Sequence, residues 1–491
     1  MARKFKYYFP LGLLVIFFWQ IPFARYAYLD EAHQLWHNED GSNFVMFATQ
    51  GRFITGWIFN KFFYWTKSID DLKYLRLFSF AGWCLAAVLW PYLLNKWNRF
   101  LQLPDLVITF SSIFLVCSLP VAIYIGWASC LEVFIGFAAG LFSGHLLFMN
   151  LMQPKESIRI PVMKLLVIVF SGLMSLFIYQ NCFGCFLIPF AYYFFFVSRK
   201  IEKKLIIGVA FYLLIVGVYF FLFKYSLTWF HLTGSDRTGL QFDILGKLSF
   251  FVSHPLALAF SFNFLYNYHG ILSQAFYPLC ALLLIISIYR INKKVKETFG
   301  ILVVLLIICL LMYIPGLVVS ENFASYRTML ALSLLIPVVL FGNIFILTER
   351  FKYQRQIALA FIGIIIIAGY YNFNLQFIDP LKYEYAKLRD RLNQESWQKV
   401  DTVYFVRASE NAFSQSHGVK DYKDEFGLPS TFKDWTPDPF IRQVCFENTK
   451  DRKNATSLIV IHRASDDSLN WGNTGKHPVI YMDTLINPLN K

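Results

Sequence analysis

The sequence predicts an all-α polytopic membrane protein of about eleven transmembrane helices, with a small extracytoplasmic α/β domain at its C-terminal end. Three observations predict it. Of 491 residues, 57% are hydrophobic and 15% charged, against roughly 25% charged in soluble domains. Apolar runs long enough to cross a bilayer recur from residue 8 to about 374. Lys and Arg concentrate in alternate connectors, as the positive-inside rule requires.

The first span, 8–23, follows the basic start Arg3-Lys4-Phe5-Lys6 and so begins in the cytoplasm. No small-residue cleavage site follows Phe23, so the run is read as an anchor rather than a signal peptide. Further spans fall at about 77–94, 105–123, 130–150, 163–178, 181–198, 205–224, 276–290, 299–319, 328–348 and 357–374. The six segments on the inner side then carry 19 Lys and Arg, and the three short outer connectors carry one, Arg327. Moving the helix count by one would scramble this asymmetry. The net charge of +14 is therefore a topology signal, and no nucleic-acid partner is expected.

The transmembrane domain occupies residues 1–375, with outer juxtamembrane loops at 24–76 and 225–275. In the first loop, Trp57, Phe59, Phe62, Phe63 and Trp65 with Lys61 and Lys67 predict a helix lying in the interface. The second loop reads as one or two interfacial helices, with a re-entrant stretch around 257–265. From 376 to 491 the chain turns charged and polar. Helical spacing over 381–393 and short apolar runs at 402–406, 457–461 and 478–482 predict a small α/β domain with buried strands. Seven of the eight cysteines fall in predicted spans and Cys445 stands alone in the tail, so no disulfide framework is available there. Cys182-Phe-Gly-Cys185 lies in an apolar run and reads as helix packing. Asn454-Ala-Thr456 is a glycosylation sequon, with meaning only in a luminal eukaryotic setting.

The chemistry collects on the outer face. Tyr28-Leu-Asp-Glu-Ala-His-Gln34 puts Asp30 and Glu31 where the first helix emerges into water, and Gly51-Arg52 follows before the chain turns back. Charge of both signs at the mouth of an apolar bundle is costly, so this loop reads as the roof of an active site. A half-desolvated carboxylate suits the acceptance of a proton from a hydroxyl. Arg supplies a bidentate clamp for phosphate. Arg52, Arg237 in the second loop and Arg327 in Glu321-Asn-Phe-Ala-Ser-Tyr326-Arg327 are the phosphate-binding candidates. Arg327 goes against the positive-inside bias, which implies an anion to hold it there. His33, Tyr179, Gln180, Glu321 and Tyr326 are expected to shape the cavity. His33 and His37 have i,i+4 spacing and could join Asp30 on a divalent cation; no HExxH pattern accompanies them, and no metal ligand is assigned. Bland readings stand beside these: helix capping for the acidic pair, snorkelling for Arg52, and a solvated charge for Arg237.

This pattern of an acidic pair after the first span, Gly51-Arg52, Tyr179-Gln180 and Tyr326-Arg327 resembles the GT-C superfamily of integral membrane glycosyltransferases. The nearest likeness is to the bacterial GtrII-type enzymes. It covers residues 1–375 in topology. The resemblance implies a GT-C-like fold and a donor sugar carried on a polyprenyl phosphate. It implies a glycan, glycolipid or protein acceptor, and a site facing outward from the plasma (inner) membrane. It makes Asp30 the group that deprotonates or orients the acceptor hydroxyl, with Glu31 sharing or tuning that role. Arg52 and Arg327 would face the lipid phosphate. Members of the superfamily often carry separated acids or a DxD-like pair here, whereas this chain has Asp-Glu followed by His33, so the identity of the base stays open. No Gly-rich phosphate cradle is visible. On this reading, Asp30→Asn, Glu31→Gln and Arg327→Ala each leave folding and insertion largely intact. Two other functions compete. An O-antigen ligase or polymerase would concentrate its polar residues in one late loop. A multi-span transporter would show repeated halves and mid-membrane charge, of which Glu132 is the main instance in this chain.

Overall fold

The computed structural model describes residues 2–153, 160–235, 238–239, 241, 243–267, 269–419, 421, 423–465 and 477–487. It is a helical bundle with a small three-stranded sheet in its C-terminal part. Nine helical segments among the described residues are long and apolar enough to cross a membrane: Ile69–Leu101, Asp105–Gly126, Ala128–Leu151, Gln180–Ser198, Lys203–Trp229, Ile271–Asn292, Val295–Met312, Leu330–Leu347 and Gln354–Leu392. The expected spans at 8–23 and 163–178 are present as shorter apolar helices, Tyr8–Phe23 and Val162–Ile178.

In chain order the bundle opens with α1 (Ala2–Phe17), which leads into the first long loop. That loop contains α2 (Asp30–Trp36), α3 (Ser42–Ala48) and α4 (Phe53–Trp65). The long α5 (Leu72–Leu101) follows, then α6 (Asp105–Cys117) and α7 (Leu119–Gly126). Pro120, in the first turn of α7, breaks the ladder between them. The freed Cys117 carbonyl accepts from Asn263 Nδ2 at 2.9 Å. α8 (Val133–Leu151) and α9 (Val162–Ile178) form a close pair with the segment after them. A Cβ on Gly144 would stand 2.2 Å from the Phe186 carbonyl oxygen, so only glycine permits that approach.

The span expected at 181–198 is not one regular helix. It runs as a 3-10 segment over Gln180–Leu187, α10 (Ile188–Tyr193) and a π-helical turn over Phe194–Ser198. α11 (Lys203–Trp229) leads to the second long loop, where α12 (Ile244–Ser253) and α13 (Pro255–Phe260) lie. Every residue of α13 is buried, and the following Asn263 bonds the carbonyls of Cys117 and Ile365. That stretch therefore inserts among the helices. α14 (Ile271–Asn292), α15 (Val295–Met312), the short α16 (Ile314–Val318), α17 (Leu330–Leu347) and α18 (Gln354–Phe373) complete the bundle.

Burial sorts the helices. α6, α7 and α17 are mostly buried, whereas α11, α14 and α15 turn Leu214, Phe221, Leu279, Leu282 and Ile307 outward. Large apolar side chains facing out of a bundle are what lipid, not water, accommodates.

A π-helical turn over Asn374–Ile378 carries α18 into α19 (Asp379–Leu392), which enters the polar tail. There β1 (Thr402–Val406) is followed by α20 (Phe413–His417), α21 (Pro437–Thr449) and α22 (Arg452–Ser457). β2 (Ile459–Arg463), β3 (Val479–Tyr481) and α23 (Met482–Ile486) end the described chain. The sheet is parallel in order β2-β1-β3, with Val406 beside Arg463 and beside Tyr481. β2 begins two residues later than the sequence suggests, because Asp451 caps α22 and carries the helix through Ser457. It is also an edge strand with Ile459 and Ile461 exposed, so the expectation of three buried strands holds for β1 and fails for β2. All eight cysteines are free thiols.

Candidate functional site

The loop over residues 24–71 folds around a buried ion pair. Glu31 and Arg76 are both fully buried and hydrogen-bonded to each other. Glu31 also accepts from the Tyr28 amide at 2.7 Å and the Ala128 amide at 2.5 Å. Arg76 donates to the Tyr26 carbonyl at 2.9 Å and packs its guanidinium 3.6 Å from the centre of the Tyr26 ring. One carboxylate thus ties the loop to the start of α5 and to the turn between α7 and α8. Burial pushes the Glu31 carboxyl above its ordinary value, against the opposing pull of Arg76 and the two amides. Its oxygens are taken up by Arg76 and the two amides, and no face of it is open.

Asp30 points the other way. It is half-buried, and Trp435 of the tail donates its indole N–H to Asp30 Oδ1 at 2.9 Å. The preceding Leu29 has φ +44° and ψ −111°, a conformation L-residues rarely adopt. Such a residue costs about 1–3 kcal/mol and persists only where its surroundings hold it. Here Ser430 Oγ accepts the Leu29 amide at 2.9 Å, and the Tyr28 hydroxyl donates to the Glu425 carbonyl at 3.0 Å. Ser430 and Thr431 are in turn anchored on the buried carboxylate of Glu384 in α19. The tail loop over residues 424–435 therefore sets the direction of Asp30.

The arginines meet on the same face. Arg52 precedes α4, with its guanidinium 4.4 Å from the centre of the Tyr179 ring and Nε donating to Gln180 Oε1 at 3.1 Å. Gln180 Nε2 donates to the Gln50 carbonyl at 2.8 Å and to the Tyr219 hydroxyl at 2.9 Å. Gly51 makes the turn possible: its φ is +82°, and a Cβ would stand 2.3 Å from the Tyr219 hydroxyl. Arg327 lies 4.4 Å from the centre of the Trp127 ring and 5.1 Å from that of Phe323, with Nε 3.4 Å from Glu425 Oε1. Burial opposes its charge, but Glu425, Tyr179 and Asp30 outweigh it and hold the guanidinium's pKa above the ordinary value. Tyr179 feels both Arg52 and Arg327. Asp30, Arg52, Arg327 and Tyr179 thus share one electrostatic neighbourhood.

Tyr326 is buried; its amide donates to Asp424 Oδ2 at 2.5 Å and its hydroxyl accepts from the Tyr266 amide at 2.7 Å. Burial and then the neighbouring Glu425 push the Asp424 carboxyl well above the usual carboxylate range. Glu321 is half-buried and acts electrostatically on Tyr313. His33 is half-buried with its ring 4.4 Å from that of His37; burial first, and His37 next, lower its pKa and favour the neutral imidazole. His37 Nδ1 lies 2.6 Å from Asp40. Among the described residues no group of three or more His, Cys, Asp or Glu is placed to hold a metal ion, so the cation alternative built on Asp30, His33 and His37 has no such cluster behind it. Arg237 lies outside the described residues.

Four participants were not singled out from the sequence as part of this site: Arg76, Trp435, Glu425 and Glu132. Glu132 is buried within electrostatic reach of Arg52, accepts from Thr55 Oγ1 at 2.9 Å, and leaves Oε2 without a hydrogen bond. The sequence marks it as the main charge within the predicted spans, near the start of 130–150. An apolar groove of about 800 Å³ opens between α11, α12, α15 and α16, with Lys224 and Lys247 on its lining. Phe223 lines the groove and also abuts Gly51, which joins the groove to the Arg52 turn.

No protein-family model, no curated protein and no solved structure matches this chain.

Proposed function

We propose that the chain is an integral membrane glycosyltransferase of the GT-C type. It would move a sugar from a polyprenyl-phosphate donor to a cell-envelope glycan, glycolipid or protein acceptor on the outer face of the plasma membrane. One observation carries the reading. A carboxylate and a guanidinium, Asp30 and Arg327, lie within electrostatic reach of each other, and one tail loop contacts both, Trp435 bonding Asp30 and Glu425 approaching Arg327. The groove along α11 supports it further, since it offers an apolar bed for a long lipid that ends beside Arg52. The side assignment rests on the distribution of Lys and Arg between connectors.

In this reaction the acceptor oxygen attacks C1 of the sugar while Asp30 takes the hydroxyl proton. The C1–O bond to phosphate breaks, and its electron pair stays on the phosphate oxygen. Arg327 and Arg52 stabilise the charge that develops there. Glu31 and Arg76 hold the loop that aims Asp30. The products are the glycosylated acceptor, the lipid phosphate with one added negative charge, and a proton on Asp30.

Mass spectrometry of envelope glycans from cells with and without the gene tests this. Loss of one hexose-sized unit from a single glycan is the expected outcome; identical glycan profiles would refute it.

A further inference from the structure

Glu425 has an unusual position for a carboxylate in such a site. Its side chain is 7% exposed, and its one contact with Arg327 is a single approach of 3.4 Å to Nε. The other oxygen, Oε2, is buried with no hydrogen-bond donor placed on it, and the Asp424 carboxyl lies against the Glu425 side chain, which pushes Asp424 toward its protonated form. The strong form of an Arg–carboxylate pair is two parallel bonds at 2.7–2.9 Å. This pair is looser than that, yet it is held in place from the backbone. The Glu425 carbonyl accepts from Tyr28, and the adjacent Asp424, at φ +59°, accepts the Tyr326 amide. Arg327 is therefore occupied by an anion that does not satisfy it, while the face of Trp127 fixes the plane of its guanidinium.

We propose that Glu425 is an internal counter-ion that exchanges with the lipid phosphate on Arg327 and so promotes product release. The inference rests on the glycosyltransferase reading of the site. The donor is a phosphodiester with one negative charge. Once C1–O breaks and the electron pair stays on phosphate, the product is a monoester with up to two. An arginine pocket without a counter-ion holds the more charged species more tightly, which would trap the enzyme after each turnover. A carboxylate tethered beside Arg327 competes for the same donors and reclaims them as the lipid leaves.

The test is binding of undecaprenyl phosphate to the purified full-length chain, for wild type, Glu425→Gln, Arg327→Ala and the double variant. Glu425→Gln is expected to tighten binding on the order of tenfold, the scale of one charged contact. Glu425→Asp, which draws the charge back by one methylene, should tighten it less. In the Arg327→Ala background, Glu425→Gln should have no effect. If Arg327→Ala weakens binding but Glu425→Gln leaves it unchanged or weakens it too, Glu425 is a structural prop and the exchange is wrong. If Arg327→Ala does not weaken binding, the phosphate-site reading itself fails, and this inference with it.

Discussion

Asp30→Asn is expected to lower the rate of sugar transfer by about 10²–10⁴-fold, the usual contribution of a positioned general base. The substitution keeps the shape of the side chain and the Oδ1 acceptor that Trp435 uses. It removes only the ability to take a proton. The groups assigned to the donor, Arg52 and Arg327, are held by Gln180, Tyr179, Trp127 and Glu425, none of which depends on the Asp30 charge for its contact. Single-turnover kinetics with saturating donor should therefore show a slow chemical step and unimpaired donor binding. A rate within a factor of two of wild type would remove Asp30 from the chemistry.

The second large effect falls on stability. Arg76→Ala leaves the Glu31 carboxylate buried with only two amides for company, and breaking a buried pair on one side costs about 3–5 kcal/mol. Glu31→Gln strands Arg76 in the same way, which reverses the expectation from sequence that this change is structurally silent. Arg76 already leaves Nε and Nη1 without partners, so its burial is tolerated only because Glu31 answers its charge. Replacing both residues by apolar ones of similar volume should recover much of the loss. Thermal unfolding of the purified chain reads this directly. Both single variants should melt well below wild type and the double variant above either. Single variants melting with wild type would mean that the pair does not hold the loop.

These two residues also show what the sequence discloses and what it hides. The spans are legible because apolar length and the alternation of Lys and Arg are properties of the chain taken segment by segment. Asp30 and Arg327 are legible because each is a charge out of place beside an apolar run. Glu31 looks like the twin of Asp30 in one dimension. Successive helical residues point about 100° apart, however, and the fold turns one outward and the other onto Arg76. That partner is 45 residues away, at the head of a span where it reads as an ordinary boundary charge. Trp435 and Glu425 lie about 400 residues from the loop that they position. Nothing periodic in the polar tail marks them, because their role is a docking contact rather than a local pattern. The irregular span at 180–198 was hidden for a related reason. Hydropathy reports that the stretch is apolar, and the departure from a regular helix is imposed by close packing against α8.

The central claim is that Arg327 and its neighbours handle a phosphate that carries a sugar. The most direct measurement is release of undecaprenyl phosphate from undecaprenyl-phosphate hexoses by the purified chain in lipid vesicles with acceptor membranes. The wild-type chain should consume one such donor, and Arg327→Ala should lose at least about 10²-fold of that rate, the scale for removing one donor to a developing oxyanion. Equal rates from the two proteins, or no consumption of any such donor, would contradict the account.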